Sequence, residues 1–348
     1  MKKRKINTME ELSEAIGVSR PTLSRYFQDA RSVRGSTSEK IRKGLEQIEY
    51  VPNFFATRMN RKSTGLIGVI VPHFNDLFYT SLLEAAELTA LDAGFTIITQ
   101  SSHGTPAREE HAIDQLISMN ADGVLIAPLG ANSSKDALER LRSNAPFVFV
   151  DSKLPDMLDH TDFVGTNNRQ SIALITEYLC RTGDAPAFLA MPRLNSNSLE
   201  REAAYIEKIQ ELGFEPRILN TEALDDSWDF EAFGYQLMDD MLSRGRLDVR
   251  TVLCANDRLA IGALRAANRH GLTHPGRDPT RTIRIAGHDD HPLSRFMTPA
   301  LTTVAQDIDG IGKRAIQILV NRINGVRNGN EDPEHAFFDA ALKVRESA

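Results

Sequence analysis

From Leu66 onward, short apolar runs alternate with stretches of helical spacing, and this limits most of the chain to one class of fold. Leu66-Ile-Gly-Val-Ile-Val71, Phe95-Thr-Ile-Ile-Thr99, Val124-Leu-Ile-Ala127 and Phe147-Val-Phe-Val150 are continuous β-rich runs. Strands of that kind are buried on both faces, as in a parallel sheet covered by helices. Helices are expected over 77–93, which Gly94 ends, over 107–119, and in the polar stretch before Phe147. The series resumes with helices at 171–181, 199–212, 230–244, 259–270 and 308–323, and strands at 187–190, 251–254, 283–286 and 301–304. Two doubly wound α/β halves follow from this pattern. In open sheets of this type ligands collect beyond the carboxyl ends of the strands. The candidates just after strands include Asp76 with Phe78, Ser101, Asp151, Asn256-Asp257 and Asp289-Asp290.

The first sixty residues read differently. Thr8 and Glu11 have capping-box spacing, so a helix is expected from Met9, with Leu12, Ala15 and Ile16 on its apolar face. Gly17 ends it, and Ser19 can cap a second helix whose first turn tolerates Pro21, because first-turn amides have no intrahelical partner. Helix, glycine turn, helix is either an ordinary hairpin or a DNA-reading helix-turn-helix. A third helix is expected with its cap at Ser36, three residues before Glu39, and an apolar stripe of Ile41, Leu45 and Ile48. Tyr50-Val51-Pro52-Asn53 closes this unit, 53–59 reads as a short additional helix, and 61–65 as a linker.

Charge separates the two parts. Residues 1–62 carry fourteen Lys and Arg against seven Asp and Glu, a head of net +7 on a body of −13, although the chain of 348 residues totals −6. A basic head on an acidic body suits a DNA-binding module joined to a domain with another task. No run approaches the ~18 apolar residues of a membrane span. Polar Asn7-Thr8-Met9-Glu10-Glu11 stands where a secretory signal needs an apolar stretch, so a cytoplasmic protein is expected. Cys180 and Cys254 have no CxxC partner and suggest neither a disulfide framework nor zinc. His288-Asp-Asp-His291 has metal-ligand chemistry, but adjacent side chains on one short loop rarely converge, so no metal and no cofactor is expected.

Val18-Ser19, Thr22, Ser24-Arg25, Glu39-Lys40, Tyr50-x-Pro52-Asn53 and Ala56 fall at the spacing of the LacI family of bacterial transcription regulators. The resemblance continues through Asp122-Gly-Val-Leu-Ile126, Val150-Asp151, Ala255-Asn-Asp257, Gly287-x-Asp-Asp290, and Leu301-Thr-Thr-Val304 with Gln306. It implies an all-α helix-turn-helix head and an α/β core of two doubly wound parallel-sheet lobes, periplasmic-binding-protein-like type I. The implied division is a DNA-binding domain at 1–51, a hinge helix and linker at 52–64, and a ligand-binding core at 65–348. Within the core, the N-lobe would hold about 65–164 and 293–324, and the C-lobe about 165–292 and 325–348, with crossings near Val164, Pro292 and Asn324.

Residue by residue, the resemblance places Thr8, Ser19, Arg20, Pro21, Thr22, Ser24 and Arg25 on DNA, with Arg20, Pro21 and Thr22 facing the bases. Asn53, Ala56 and Met59 would belong to a hinge helix that enters the minor groove, Met59 standing where the family usually has a leucine wedge. Phe54 and Phe55 are unusually apolar for a hinge, and Arg34 replaces a common serine cap. In the core, Arg201, Asn256 and Asp289 map to the family's ligand arginine, amide and carboxylate, a donor set suited to vicinal hydroxyls. Asp76, Phe78, Ser101, Asp151 and Gln306 join them, and Trp228 or else Phe230 would stack on a sugar face.

Two departures bear on the ligand. Asn167-Asn168-Arg169-Gln170-Ser171 replaces an Asp-Asn-x-x-Gly pattern, which leaves room for an acidic or phosphorylated sugar, and His288 replaces an aromatic residue. The implied function is a ligand-responsive regulator, a repressor, binding a pseudo-palindromic operator as a homodimer, with a sugar or sugar acid as effector. A periplasmic solute-binding protein would need an export signal and no basic head. A sugar-converting enzyme would need catalytic motifs, and no Gly-x-Ser-x-Gly elbow, phosphate loop or HExxH is present. No leucine-heptad tail follows Phe338, so a coiled-coil tetramerisation arm is not expected.

Overall fold

The protein is described here by a computed structural model covering residues 4–52, 63–219, 228–273, 282–325 and 332–348. The chain divides into two compact units, Met1–Gly65 and Leu66–Ala348. The first holds helices α1 (Met9–Ile16), α2 (Arg20–Gln28) and α3 (Gly35–Gln47) around Leu12, Ile16, Leu23 and Ile41. Thr8 Oγ1 accepts from Glu11 N, and Gly17 at φ 66° takes the left-handed turn that lets α2 leave α1. Two short parallel strands, β1 (Arg4–Lys5) and β2 (Ile48–Glu49), clip the start of the unit to its end, a pairing too short to leave a sequence signal. Two local expectations change. Ala15 is exposed, and α3 starts at Gly35 with Arg34 at the cap position, so Ser36 is inside the helix. Backbone bonds to the Arg34 carbonyl from Thr37 and Ser38 replace the side-chain cap.

The second unit has two lobes. In the N-lobe lie β3 (Leu66–Val71), α4 (Leu77–Asp92), β4 (Thr96–Ser101), α5 (Pro106–Ser118), β5 (Gly123–Ile126), α6 (Lys135–Asn144), β6 (Phe147–Val150) and β7 (Asp162–Thr166). The C-lobe follows with α7 (Asn168–Thr182), β8 (Ala187–Leu189), α8 (Ser196–Glu211), α9 (Phe230–Ser243), β9 (Thr251–Cys254), α10 (Asp257–Arg269), β10 (Arg284–Ala286) and β11 (Thr303–Ala305). The chain returns to the N-lobe with α11 (Ile308–Ile323) and β12 (His335–Phe338), then to the C-lobe with β13 (Ala341–Lys343). The N-lobe sheet is fully parallel, in the order β12-β7-β6-β5-β3-β4. Its two faces are closed by separate apolar clusters, one under α4 and α11 and one under α5 and α6. The C-lobe has parallel β10-β9-β8, and β11 pairs antiparallel with β13 while bridging Ala286 through Thr302.

These pairings move two of the three crossings. The segment from 293 to 305 stays in the C-lobe because β11 is held between β10 and β13, so the chain crosses at Gln306-Asp307 rather than near Pro292. The last crossing lies at Asp339-Ala340 rather than near Asn324, because β12 extends the N-lobe sheet beside β7. The crossings run side by side. Asn167 N donates to Phe338 O at 2.8 Å, and Thr166 Oγ1 bonds to Gln306 Oε1.

Close backbone packing brings the ligand-facing ends of α9 and α10 together. A Cβ on Gly262 would overlap the Glu231 carbonyl, and one on Gly234 the Leu259 carbonyl, so each helix requires a glycine where it touches the other. This contact sets Phe230 and Glu231 beside Asn256 and Arg258. Gly262→Ala is expected to cost about 1–3 kcal/mol through forced separation of the helices. Urea unfolding of the variant measures it, and unchanged stability would contradict the packing.

Candidate functional site

Between the lobes, at the carboxyl ends of both sheets, a narrow cleft is lined by Asp76, Phe78, Tyr79, Asp151, Met191, Asn195, Asn197, Arg201, Trp228, Phe230, Asn256, Asp289 and Gln306. Eight of the nine residues expected from the sequence are therefore brought together. Ser101 is not among them. Its hydroxyl donates to Pro72 O at 2.9 Å and accepts from His103 N at 3.1 Å, which makes it part of the turn after β4. Tyr79, Met191, Asn195 and Asn197 were not anticipated. Tyr79 sits one residue from Phe78 on α4, Met191 follows β8 in a loop, and Asn195 and Asn197 stand at the cap and in the first turn of α8.

The free space in the cleft is about 40 Å³, water-sized rather than sugar-sized. Polar contacts across the lobes hold it narrow. Arg258 Nη1 meets Asp76 Oδ2 at 3.2 Å, Asn197 Nδ2 donates to Asp151 Oδ1 at 3.1 Å, and Lys153 Nζ pairs with Glu200 at 2.9 Å. The Gly130 backbone, at φ 62°, comes so close to Asn195 that a Cβ there would lie 3.0 Å from its Cα. Trp228 reaches the N-lobe too, its ring 5.4 Å from that of His73 and against Gly104, where a Cβ would clash with the indole. Phe230 lies 5.8 Å from Trp228, so both rings face the cleft.

At the centre is a buried ion pair. Arg201, 4% exposed, donates Nε to Asn168 Oδ1 and Nη1 to the Ala255 carbonyl, and lies 3.2 Å from Asp289 Oδ1. The same carboxylate oxygen accepts from Gln306 Nε2 at 2.7 Å and is 2.8 Å from His288 Nδ1. Among the described residues no hydrogen bond uses Asp289 Oδ2 or Arg201 Nη2. Burial raises the Asp289 carboxyl, but Arg201 and the bonds from His288 and Gln306 outweigh it and hold its pKa below the usual value. Burial, then Arg201, pushes the His288 imidazole down to about 4, so it is neutral at pH 7. Asp151 goes the other way. Burial lifts it to about 7, only partly offset by Arg201 and by the bonds from Tyr79 and Asn197. Asp151 and Asp289 also hold positive φ, 63° and 128°, so the backbone is strained where it presents these two carboxylates.

The remaining candidates have structural partners. Asn256 caps α10 through Leu259 N, leaving its amide nitrogen toward Met191. Asp257, fully buried, binds Ser294, Thr303 and the His291 amide. Asp290 pairs with Arg345, His291 Nδ1 accepts from Leu293 N, and His288 bonds Asp289 and Ser171 beneath the cleft, so the four side chains of this loop do not converge on one point. Among the described residues no His, Cys, Asp and Glu cluster is arranged for a metal ion, and Cys180 and Cys254 are both free. Arg169 pairs with Glu207 in a separate hollow and does not line the cleft. A larger hollow, about 660 Å³, lies at the amino ends of β6 and β7, but its Arg322 is already bound to Asp162 at 2.8 Å.

On the head, α2 exposes Arg20, Pro21 and Arg25, with Thr22 and Ser24 half-buried. The Ser19 hydroxyl bonds the Thr22 hydroxyl at 2.9 Å rather than a helix amide, and Arg20 pairs with Glu10 of α1. Lys40 Nζ donates to the Gly17 carbonyl at 2.9 Å and clamps the turn. Thr8 is exposed at the start of α1. Asn53, Ala56 and Met59, with Phe54 and Phe55, lie outside the described residues.

The model for bacterial regulatory proteins of the lacI family matches residues 8–53, and that for a periplasmic binding protein domain matches 67–326. The chain belongs to the LacI family. Among curated proteins it is 26% identical to the HTH-type transcriptional repressor PurR of Actinobacillus pleuropneumoniae serotype 3, over 98% of each chain. Among solved structures it resembles the Lac repressor dimer bound to operator and the anti-inducer ONPF, with a TM-score of 0.80, 24% identity and 98% of each chain covered. The regulator CelR in complex with cellobiose gives a TM-score of 0.66 at 23% identity, over 98% of this chain and 99% of that one. This LacI-family protein is thus a DNA-binding transcription regulator and not an enzyme. Among the described residues no helix is long and apolar enough to cross a membrane.

The direction of the Asp151 shift gives a stability test. A carboxyl whose folded pKa is raised from 3.8 to about 7 favours the fold while protonated and loses that contribution as pH rises from about 4 to 7. Asp151→Asn is expected to raise the melting temperature at pH 8 by a few degrees, with the gain vanishing near pH 4. An equal effect at both pH values would contradict the burial argument.

Proposed function

We propose that this LacI-family regulator is a repressor that binds a pseudo-palindromic operator as a homodimer and responds to a neutral sugar or sugar derivative bound between its lobes. It acts on DNA in the cytoplasm. The observation that carries the ligand class is the Arg201–Asp289 pair, in which neither Arg201 Nη2 nor Asp289 Oδ2 makes a hydrogen bond among the described residues. A donor next to an acceptor matches two vicinal hydroxyls. Asn256 and Gln306 add amides, Asp76 and Asp151 add acceptors, and Phe78, Trp228 and Phe230 offer apolar faces. Trp228 Nε1 and Asn195 Oδ1 are buried without a partner among the described residues, and ligand hydroxyls would satisfy them.

Charge argues for a neutral ligand. Arg201 is already paired with Asp289, and Arg258 with Asp76 and Glu231, so at these two arginines an acid would meet carboxylates that already hold the cation. Because the free space is water-sized, a sugar would enter by parting the lobes at the three crossings, which gives it different affinities for the open and closed states. For the head, Arg20 is proposed to contact guanine and Pro21 and Thr22 to pack on base edges. Ser24 and Arg25 would bind phosphates or neighbouring bases, and Thr8 and Ser19 the backbone. Asn53, Ala56 and Met59 are proposed as minor-groove contacts of the hinge.

Two measurements test this reading. A thermal-shift panel of neutral aldoses and disaccharides against their uronic acids and phosphates is expected to show stabilisation by neutral members. A response confined to the charged members would overturn the ligand class. DNA selected from a random pool by the full-length protein is expected to be pseudo-palindromic. Arg20→Ala should relax one guanine position in each half-site, at a cost of about 1–3 kcal/mol in discrimination. Selection of unrelated sequences, or of the same guanine by the variant, would contradict the assignment.

A further inference from the structure

We infer that Ser171 and His288 act as a positioning pair for Asp289, fixing the orientation in which this carboxylate meets the effector. The inference rests on the proposed role of the cleft as an effector site. Both positions depart from the pattern the chain otherwise follows, serine standing where a glycine is common and histidine where an aromatic residue is common. The structure brings these two departures into contact. Ser171 Oγ, in the first turn of α7, is 2.8 Å from His288 Nε2, and His288 Nδ1 is 2.8 Å from Asp289 Oδ1. Ser171 and His288 are both fully buried.

The direction of each bond follows from the partners. Asp289 is ionised and only accepts, so His288 Nδ1 must carry the proton it donates. The imidazole is neutral, which leaves Nε2 as an acceptor. Ser171 then donates its hydroxyl to Nε2, in preference to the longer 3.2 Å contact with the Asn168 carbonyl. A phenylalanine at 288 would fill the volume but leave Asp289 Oδ1 with one donor fewer. A glycine at 171 would leave Nε2 buried and unpaired.

Serine, histidine and aspartate are connected here as in a hydrolytic triad, but the order is inverted with respect to the cleft. The carboxylate lines the ligand space while the serine is buried away from it, so the hydroxyl has no reach to a substrate. What the relay does is hold Oδ1 among His288, Gln306 and Arg201 and so aim Oδ2 at the ligand. One of those three neighbours, Gln306, is tied to Thr166 at the crossing strands, so the aim of Asp289 is set from the C-lobe interior as well as from the crossings.

The test has two arms on the full-length protein. Nitrogen-15 shifts of His288 at pH 7 are expected to show the neutral tautomer protonated at Nδ1, and Ser171→Ala to shift the Nε2 resonance. The opposite tautomer, or an Nε2 signal that ignores the substitution, would overturn the pair without reference to any ligand. For the second arm, glucose, galactose, ribose, xylose and cellobiose are titrated calorimetrically, and the sugar that binds most tightly is carried into the variants. His288→Phe is expected to weaken it about tenfold, as for loss of one hydrogen bond to a charged group. His288→Asn, whose amide nitrogen can replace Nδ1, should restore most of the affinity. A loss of melting temperature without loss of affinity would reduce the pair to a packing role and contradict the inference. If none of the five sugars binds the wild type, the neutral-sugar reading fails, while the tautomer measurement still decides the pair.

Discussion

The cleft depends on a largely buried ion pair on its C-lobe wall. Arg201 and Asp289 meet on the C-lobe side of the cleft, and a largely buried charge pair survives only when the rest of its hydrogen-bonding capacity is met. Here the protein supplies nearly all of it. Asn168 and the Ala255 carbonyl take the guanidinium, and His288 and Gln306 take one carboxylate oxygen. Each of these groups comes from the end of a strand or the start of a helix in the C-lobe or from the crossing at Gln306, so the pair depends on the C-lobe sheet and on that crossing being in place. The chemistry of the site and the topology of the body are therefore one constraint.

Other carboxylates in the same cleft are less well served. Asp151 accepts from Tyr79 and Asn197 but has no cation within hydrogen-bond distance, and burial lifts its pKa to about 7. Asp76 shares Arg258 with Glu231. Positive φ at Asp151 and Asp289 adds backbone strain. Groups that are strained or incompletely paired in the folded chain are the ones a ligand can stabilise, which is how a binding site comes to be written in stability as well as in shape. The helices that carry these groups are held by contacts with little freedom, notably the glycine-to-backbone packing of α9 on α10.

Much of this was legible in the sequence where a local rule has a local cause. Thr8 and Gly17 bound α1 because a capping hydroxyl and a left-handed turn are demands of single residues. The buried strands β3, β5, β6 and β9 were legible because continuous apolar runs have few other places to go. Asn256 and Asp289 were reached from their places just after strands and again by resemblance, Arg201 by resemblance alone. What was not legible depended on distant partners. Strand β7 reads as polar at Asp162 and Thr166, and β12 is an edge strand with alternating exposure, so neither announces itself until the other is beside it. That omission displaced the third crossing, while the second moved because β11 pairs with β13, a strand distant in sequence. Ser101 has the right chemistry just past a strand, but its hydroxyl is consumed by its own turn. Asn195 and Asn197 stand at the start of α8, ahead of the Leu199 where the sequence pattern begins that helix, and Asn197 finds its partner Asp151 only in the opposite lobe.

The most direct test of the account couples its two ends. Operator affinity of the full-length protein is measured by fluorescence anisotropy across a series of concentrations of a neutral sugar that stabilises it, for the wild type and for Asp289→Asn. Equal operator affinity without sugar, a sugar-dependent change in the wild type, and little or none in the variant are expected. The same sugar response in both proteins would contradict the claim that the cleft between the lobes is where the ligand is read.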